Sequence, residues 1–319
     1  MAWSREGIMP MNLKQTPTYT LNNLSASESS LAYVAGSEIA MPHLNGEWRS
    51  INLQDDCKCF QAKFVSLQNV TLLVLAMDFG IQIWNAGGTR MLFFLPLDGV
   101  IECSPDECKF TRGIAGVPDG EYIFVGTFTG DLLIINAQVV EEDRIEFMQA
   151  VPGHSCPITA LAASEIWLAS GDEKGTLVIR DIANGFDIIH TLEGQGFPVT
   201  SLAINGDLLA ASYSTGHLRF FQITSGSMVV EIAAHSRCIN AIDIHPDQQV
   251  LVSIGDDTFL NIWTLPDLSR PNGGDGVSLL YSDHVENRLL TGVSFLSDDV
   301  KQIAATSYDY DGLSMWGRT

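Results

Sequence analysis

Read for its apolar and polar positions, the chain repeats one pattern: a short apolar strand, a tight turn, a second strand of alternating character, then a bulky residue and a polar one. The copies are LAMDFGIQIWN, VGTFTGDLLIIN, SGDEKGTLVIRD, ASYSTGHLRFFQ, SIGDDTFLNIWT and TSYDYDGLSMWG. Alternation such as Leu218-Arg219-Phe220-Phe221 sends successive side chains to opposite faces. That period of two suits a strand and cannot present one helical face, so each copy predicts a β-hairpin. A further alternation precedes three hairpins, at Ile158 to Ala162, Val199 to Ile204 and Ile239 to Ile244, and another follows, as in Met228 to Ile232. Each copy therefore holds four strands, a to d.

The closing bulky positions, Trp84, Ile135, Arg180, Phe221, Trp263 and Trp316, lie 51, 45, 41, 42 and 53 residues apart. Periods in the low forties belong to four-stranded propeller blades, and the longer spacings mark loop insertions. A seventh, degenerate blade is expected upstream, in Asn22-Asn-Leu-Ser, Leu31 to Gly36, Glu38 to Met41 and Trp48 to Leu53. The last copy stops at Trp316-Gly-Arg-Thr319, directly after its third strand. An exposed strand edge invites pairing, and a ring removes it by borrowing the missing strand from the chain's beginning. Ile8 to Leu13 is expected to pair antiparallel with Leu313 to Trp316. The expected architecture is one all-β, seven-bladed propeller over residues 1–319. Its closing strand falls at about 5–14 and its first blade at about 20–55, with later blades ending near 97, 150, 193, 233, 283 and 319.

The copy from Ala234-His235 through His245-Pro246-Asp247 to Leu251-Val-Ser253-Ile-Gly-Asp256-Asp257 and Trp263 resembles the WD-repeat family. It carries that family's His, Pro-Asp turn, strand Ser, turn Asp and closing Trp. The copy at Gly153-His154 keeps the Gly-His pair and Ser170, but Arg180 stands for Trp and Lys174 falls where the turn Asp is expected, so His154 is read as lacking Asp and Trp partners. Trp84 with Asp78 marks another partial copy. The resemblance implies a WD-repeat propeller in which His235, Ser253, Asp257 and Trp263 form a buried hydrogen-bonded chain. Those residue types are also those of a Ser-His-Asp nucleophile. The resemblance assigns them to structure, and the chain has no G-x-S-x-G elbow.

Composition narrows the function. The chain has 17 Lys plus Arg against 38 Asp plus Glu, a net charge of -21. Such a field repels phosphate backbones and anionic lipid, so neither nucleic acid nor membrane is an expected partner. The start, MAWSREGIMPMNLKQ, has no apolar core of signal length, and no run is long enough for a membrane helix, so a soluble chain is expected and Asn23-Leu-Ser and Asn69-Val-Thr are chance matches to the glycosylation pattern. The six cysteines, Cys57, Cys59, Cys103, Cys108, Cys156 and Cys238, form no compact framework and fit reduced thiols in the cytoplasm. Cys57-x-Cys59 and Cys103-x4-Cys108 lack zinc spacing, and Asn272-Gly-Gly-Asp-Gly sits in no strand-to-helix turn. No catalytic residue, metal, cofactor or small-molecule substrate is expected.

Binding then belongs on loops held by the blades. By resemblance, the d–a loops and b–c turns share one face, the top. Mapping the copies places Phe128, Asp172, Glu173, Tyr213, Asp256, Tyr308 and Asp309 there at b-strand ends, with Ser155, Phe197 and Arg237 in d–a loops. Phe128, Asp172, Glu173, Tyr213, Arg237, Asp256, Tyr308 and Asp309 are the candidate partner-binding face. The acidic insertions at 98–109 and 139–146 and the Pro- and Gly-rich 266–275 form a second candidate surface, read first as solvated loops. The leading expectation is a protein–protein interaction scaffold, or a subunit of a larger cytoplasmic assembly, cytoskeletal or ciliary. The alternative is a reader of a short basic peptide on the acidic top face, where rings stack on guanidinium and carboxylates pair charge. A channel hydrolase, with Asp172, Glu173, Asp256 and His217 as its available groups, ranks last.

Overall fold

The computed structural model describes residues 3–9, 15–28, 30–54, 56–68, 70–101, 109–138, 144–245, 249–268, 276–296 and 302–318. Asn69, the Pro246-Asp247 turn, Cys103, Cys108, the core of the two acidic insertions and the Gly-rich run to Asp275 lie outside them. The described residues form seven four-stranded antiparallel sheets. The chain opens with β1 (Trp3–Met9). Blade 1 is β2 (Ser25–Ala26), β3 (Leu31–Ala35), β4 (Glu38–Pro42) and β5 (Trp48–Asn52). Blade 2 is β6 (Cys59–Leu67), β7 (Val70–Met77), β8 (Gly80–Asn85) and β9 (Met91–Pro96). Blade 3 is β10 (Thr111–Gly116), β11 (Tyr122–Thr127), β12 (Asp131–Gln138) and β13 (Arg144–Pro152). Blade 4 is β14 (Ile158–Ala163), β15 (Trp167–Asp172), β16 (Leu177–Asp181) and β17 (Asp187–Leu192). Blade 5 is β18 (Val199–Asn205), β19 (Leu208–Tyr213), β20 (His217–Gln222) and β21 (Ser227–Ala233). Blade 6 is β22 (Ile239–His245), β23 (Val250–Gly255), β24 (Phe259–Thr264) and β25 (Leu279–His284). Blade 7 is β26 (Leu290–Phe295), β27 (Gln302–Ser307) and β28 (Leu313–Arg318), completed by β1.

Successive inner strands touch one another around the ring, so β2, β6, β10, β14, β18, β22 and β26 enclose a central channel. The middle strands are buried on both faces, as in β7 and β23, because a neighbouring blade covers each side of the sheet. Outer strands such as β17 and β21 alternate between half-buried and exposed positions. The core is accordingly divided into seams. Val65, Leu72, Ile83, Ile114, Val125 and Ile135 fill the seam between blades 2 and 3. Leu208, Phe220, Ile242 and Trp263 do the same between blades 5 and 6.

The seam where blade 7 meets blade 1 is filled chiefly by Leu24, Leu31, Ala304, Leu313 and Met315. Here backbone does part of the joining. Asn23 N–H donates to the Thr291 carbonyl (3.0 Å), and Thr306 Oγ1 donates to the Asn23 carbonyl (2.9 Å). This close approach requires Gly292, where an added Cβ would lie 2.3 Å from backbone atoms of Asn23 and Leu24.

The ring closes as a propeller with an N-terminal strand, but the strand lies earlier than 5–14. β1 pairs antiparallel with β28 from Trp3 opposite Arg318 to Met9 opposite Leu313. Two side chains fix this register. Trp3 is buried beside Trp316 in the seam between blades 6 and 7. Arg5 Nε donates to Asp283 Oδ2 on β25 (2.6 Å), which also accepts the Trp316 indole N–H (2.7 Å). The closing strand is thus bonded to its own blade and tied to the next. Of the expected partner segment, residues 10–13 lie outside the described residues.

The reading of Asn22-Asn-Leu-Ser as the first strand of blade 1 is corrected. The strand is confined to β2, and residues 15–24 instead form a brace over the channel mouth. Asn22 takes a left-handed φ of 55° that a strand does not allow. Its N–H donates to the Asn240 carbonyl of blade 6 (3.0 Å), and its side-chain amide to the Thr200 carbonyl of blade 5 (2.8 Å). Asn23 fills its amide with blade 1, donating to the Val34 carbonyl (3.0 Å) and accepting from Val34 N–H (2.7 Å).

Candidate interaction face and its polar fasteners

The top face is built by the b–c turns and d–a loops, so whatever positions those turns positions the site. In blade 6 the d–a loop is fastened by a continuous hydrogen-bonded chain. Trp263 Nε1–H donates to Ser253 Oγ (2.9 Å), Ser253 lies 2.8 Å from His235 Nε2, and His235 Nδ1 lies 2.8 Å from Asp257 Oδ1. One proton arrangement satisfies all four groups: the hydroxyl donates to Nε2 and Nδ1–H donates to the carboxylate. The His235 and Asp257 side chains are 0% and 8% exposed and Ser253 is fully buried. A nucleophile must meet a substrate, and among the described residues this hydroxyl bonds only indole and imidazole. Burial disfavours ionised Asp257, yet the hydrogen bond from His235, the attraction of its ring and the Ser236 N–H outweigh it, so its pKa falls below the ordinary 3.8.

Blade 4 repeats the fastener from different positions, which corrects the expectation that His154 has no acidic partner. His154 Nδ1 lies 3.0 Å from Asp172 Oδ2, and Nε2 lies 2.7 Å from Ser170 Oγ. The carboxylate comes from the end of β15, ahead of Lys174, and accepts N–H groups of Lys174 and Thr176 at 2.9 Å. Despite burial, these bonds hold Asp172 below 3.8 as well. Arg180, in the Trp position, donates to the carbonyls of Phe186 (2.9 Å) and Pro152, so it ties the same d–a connection by a different route.

Burial also corrects the candidate face. Asp172 is 1% exposed and committed to His154. Tyr213 is 2% exposed beneath Arg219, whose guanidinium carbon stands 4.4 Å from the ring centroid. Phe128 belongs to the core between blades 2 and 3, against Phe110. Asp172 and Phe128 are covered by d–a loop residues, His154 and Phe110, and Tyr213 by Arg219 of β20, so the three are not available to a partner. Glu173, Arg237, Tyr308 and Asp309 are exposed, and Asp256 is partly so. The residues named for a channel hydrolase do not converge. Asp172 is held inside its blade, His217 bonds Thr215 (3.0 Å), and Asp256 accepts from Tyr19 and Asn240.

Where blades 6, 7 and 1 meet, the brace adds residues that sequence reasoning missed. Tyr19 is 48% exposed, and its hydroxyl donates to the Asp256 carboxylate (2.8 and 2.9 Å). Its ring meets Tyr308, 49% exposed, edge to face at 5.8 Å. Asp309 accepts from Thr16 Oγ1 (3.3 Å), and its N–H reaches the Pro17 carbonyl (3.1 Å). The available signal was weak: Thr16, Thr18, Tyr19, Thr20, Asn22 and Asn23 show no apolar alternation, which marks a polar connection without saying what it crosses.

Below the mouth the channel encloses about 370 Å³. Lys63 Nζ donates to the Ile114 carbonyl (3.0 Å), and Asp243 accepts Phe295 N–H (2.9 Å). Burial lowers the Lys63 pKa and raises that of Asp243, and attraction between the two charges opposes both shifts. Among the described residues, no three His, Cys, Asp or Glu side chains gather in a metal-holding group.

Seven closed blades and Asp–His–Ser fasteners define a WD-repeat β-propeller. The family model described as WDR54 matches residues 55–317. The chain is 30% identical over 245 residues to human WD repeat-containing protein 54, covering 75% of this chain and 72% of that protein. It is 28% identical over 253 residues to the mouse protein of the same name, covering 77% and 74%. Among solved structures, a chain in a crystal structure of the mitotic checkpoint complex superposes with a TM-score of 0.78 at 15% identity, covering 99% of this chain and 92% of that one, a likeness of fold. The chain belongs to the WDR54 family. WD-repeat propellers bind other proteins as interaction scaffolds and are generally not enzymes.

Proposed function

We propose that this chain is a non-enzymatic scaffold subunit of a cytoplasmic assembly, and that it docks a short basic segment of a partner on the top face where blades 6, 7 and 1 meet. The observation that carries this reading is the pair Tyr19 and Tyr308, each about half exposed, flanked by the carboxylates of Asp256 and Asp309. Exposed rings offer apolar area and a negative π face to a guanidinium, and the carboxylates pair its charge. Leu289, 37% exposed, whose carbonyl accepts the Tyr308 N–H, extends the apolar rim. The net charge of -21 favours encounter with a cationic segment. The free thiols of Cys57, Cys59, Cys156 and Cys238 accord with a reducing compartment.

The test is a fluorescence-polarisation screen of Arg- and Lys-containing peptides against the wild-type chain and a Tyr308→Ala, Asp309→Asn double variant. Asn accepts the left-handed φ of 50° at position 309, so the turn is retained. Binding is expected to weaken at least about tenfold in the variant, the loss typical of an anchoring aromatic and its charged neighbour. Peptides that bind both forms equally would exclude this rim.

A further inference from the structure

The inner strands of blades 2 to 7 stand in register around the channel. Lys63 (β6), Ala115 (β10), Ala162 (β14), Ala203 (β18), Asp243 (β22) and Ser294 (β26) each pair with the residue three before the last of the adjacent b strand, so they form one layer. Ser25 of β2 supplies the place of blade 1, its hydroxyl accepting the Phe64 N–H beside Lys63 (2.9 Å). All seven line the channel. Five are alanine or serine, and the two that are not carry opposite charges. Blades 2 and 6 are as far apart as two blades of a seven-bladed ring can be, so the ammonium and the carboxylate come from opposite walls.

Both groups keep bonding capacity. Lys63 Nζ donates to the Ile114 carbonyl (3.0 Å), which uses one of its three N–H groups. Asp243 Oδ2 accepts Phe295 N–H (2.9 Å) and the Ser294 hydroxyl (3.3 Å), and no other side-chain donor bonds this carboxylate among the described residues. Both side chains are partly exposed. Each acts on the other's charge, yet among the described residues they form no direct ion pair. In a confined space such charges call for counter-charges close at hand. The channel volume of about 370 Å³ falls within the roughly 300–1,000 Å³ of small-molecule sites. Its lining reaches the lower face at Ser66 and Pro118, both exposed, and its upper end at Asn22 and Leu24 of the brace.

We infer that the channel is a binding site for a free amino acid, whose carboxylate meets Lys63 and whose ammonium meets Asp243. It adds a small-molecule site to a protein-docking platform, and it does not depend on the basic-segment rim. The layer is neutral as a whole, so a ligand carrying both charges compensates both walls, whereas a lone anion or cation leaves the opposite wall uncompensated. Charge-assisted hydrogen bonds at the two ends fix its orientation. Between them, Ala115, Ala162 and Ala203 have no long side chain to fill the space, and their methyl groups face an apolar part of the ligand.

The test is titration calorimetry of the full chain with glycine, leucine and 4-aminobutyrate, and with propionate and propylamine as probes of a single charge. Saturable binding of at least one amino acid is expected, at least about tenfold tighter than either single-charge probe. In a Lys63→Met, Asp243→Asn double variant that affinity is expected to fall at least about tenfold. Removing both charges together leaves neither uncompensated, so the melting temperature is expected to be retained. Should the variant not fold, the single-charge probes decide the matter on the wild-type chain. Tightest binding of glycine or leucine assigns an α-amino acid, and tightest binding of 4-aminobutyrate a longer spacing between the charges. No saturable amino-acid binding, equal affinity for propionate or propylamine, or unchanged affinity in the folded double variant would overturn the inference.

Discussion

Deleting residues 1–14 is expected to unfasten the ring, with a loss of melting temperature larger than any single blade-surface substitution produces. The deletion removes β1, leaves the edge of β28 unpaired, strips Trp3 from the seam beside Trp316, and leaves Asp283 with Trp316 alone. Trp3→Ala isolates the packing part and is expected to cost about 3–5 kcal/mol, as for a buried Trp. Thermal denaturation followed by tryptophan fluorescence measures both, with Arg5→Gln as the variant that removes the ion pair and keeps the strand. A deletion that melts as the full chain does would show that the pairing contributes nothing to closure.

The second large effect concerns the fasteners. His235→Ala is expected to cost about 1–3 kcal/mol, because it leaves Ser253 and Asp257 desolvated without their partner. His154→Ala is expected to cost nearly as much, since Asp172 and Ser170 lose the same bonds. Both carboxylates have pKa values lowered on folding, so their contribution is fully present above the unfolded value of 3.8 and is lost as pH falls through the folded value. Urea denaturation of both variants and the wild type at neutral pH and near pH 3 measures this. The gap between wild type and variants is expected to narrow in acid. A gap that widens would contradict the assignment of Asp257 and Asp172 as the ionised ends of these chains.

How far the sequence carries this account depends on the range of the interactions. Blade number and strand alternation were legible because they are local: Leu218 to Phe221 names its strand without reference to the rest of the chain. Ring closure was legible from a deficit, the missing strand after Trp316. Its register was not, because Trp3 and Arg5 are set by contacts with Trp316 and Asp283 at the far end of the chain. The fastener of blade 6 follows a recognisable spacing. That of blade 4 does not, since Asp172 reaches His154 from the strand end while the turn position holds Lys174. The top face was read from turn positions alone, which cannot tell that Tyr213 tucks beneath Arg219 or that Tyr19 crosses from another part of the chain to Asp256.

The central claim is that partners dock on the top face of a rigid ring. Carboxyl-directed cross-linking of the native complex, with linked peptides identified by mass spectrometry, tests it most directly. Glu173 and Asp309 lie exposed on the top, and Asp119 and Glu165 lie exposed on a–b turns of the opposite face. The account predicts partner links at Glu173 and Asp309. Links concentrated at Asp119 and Glu165 would contradict it.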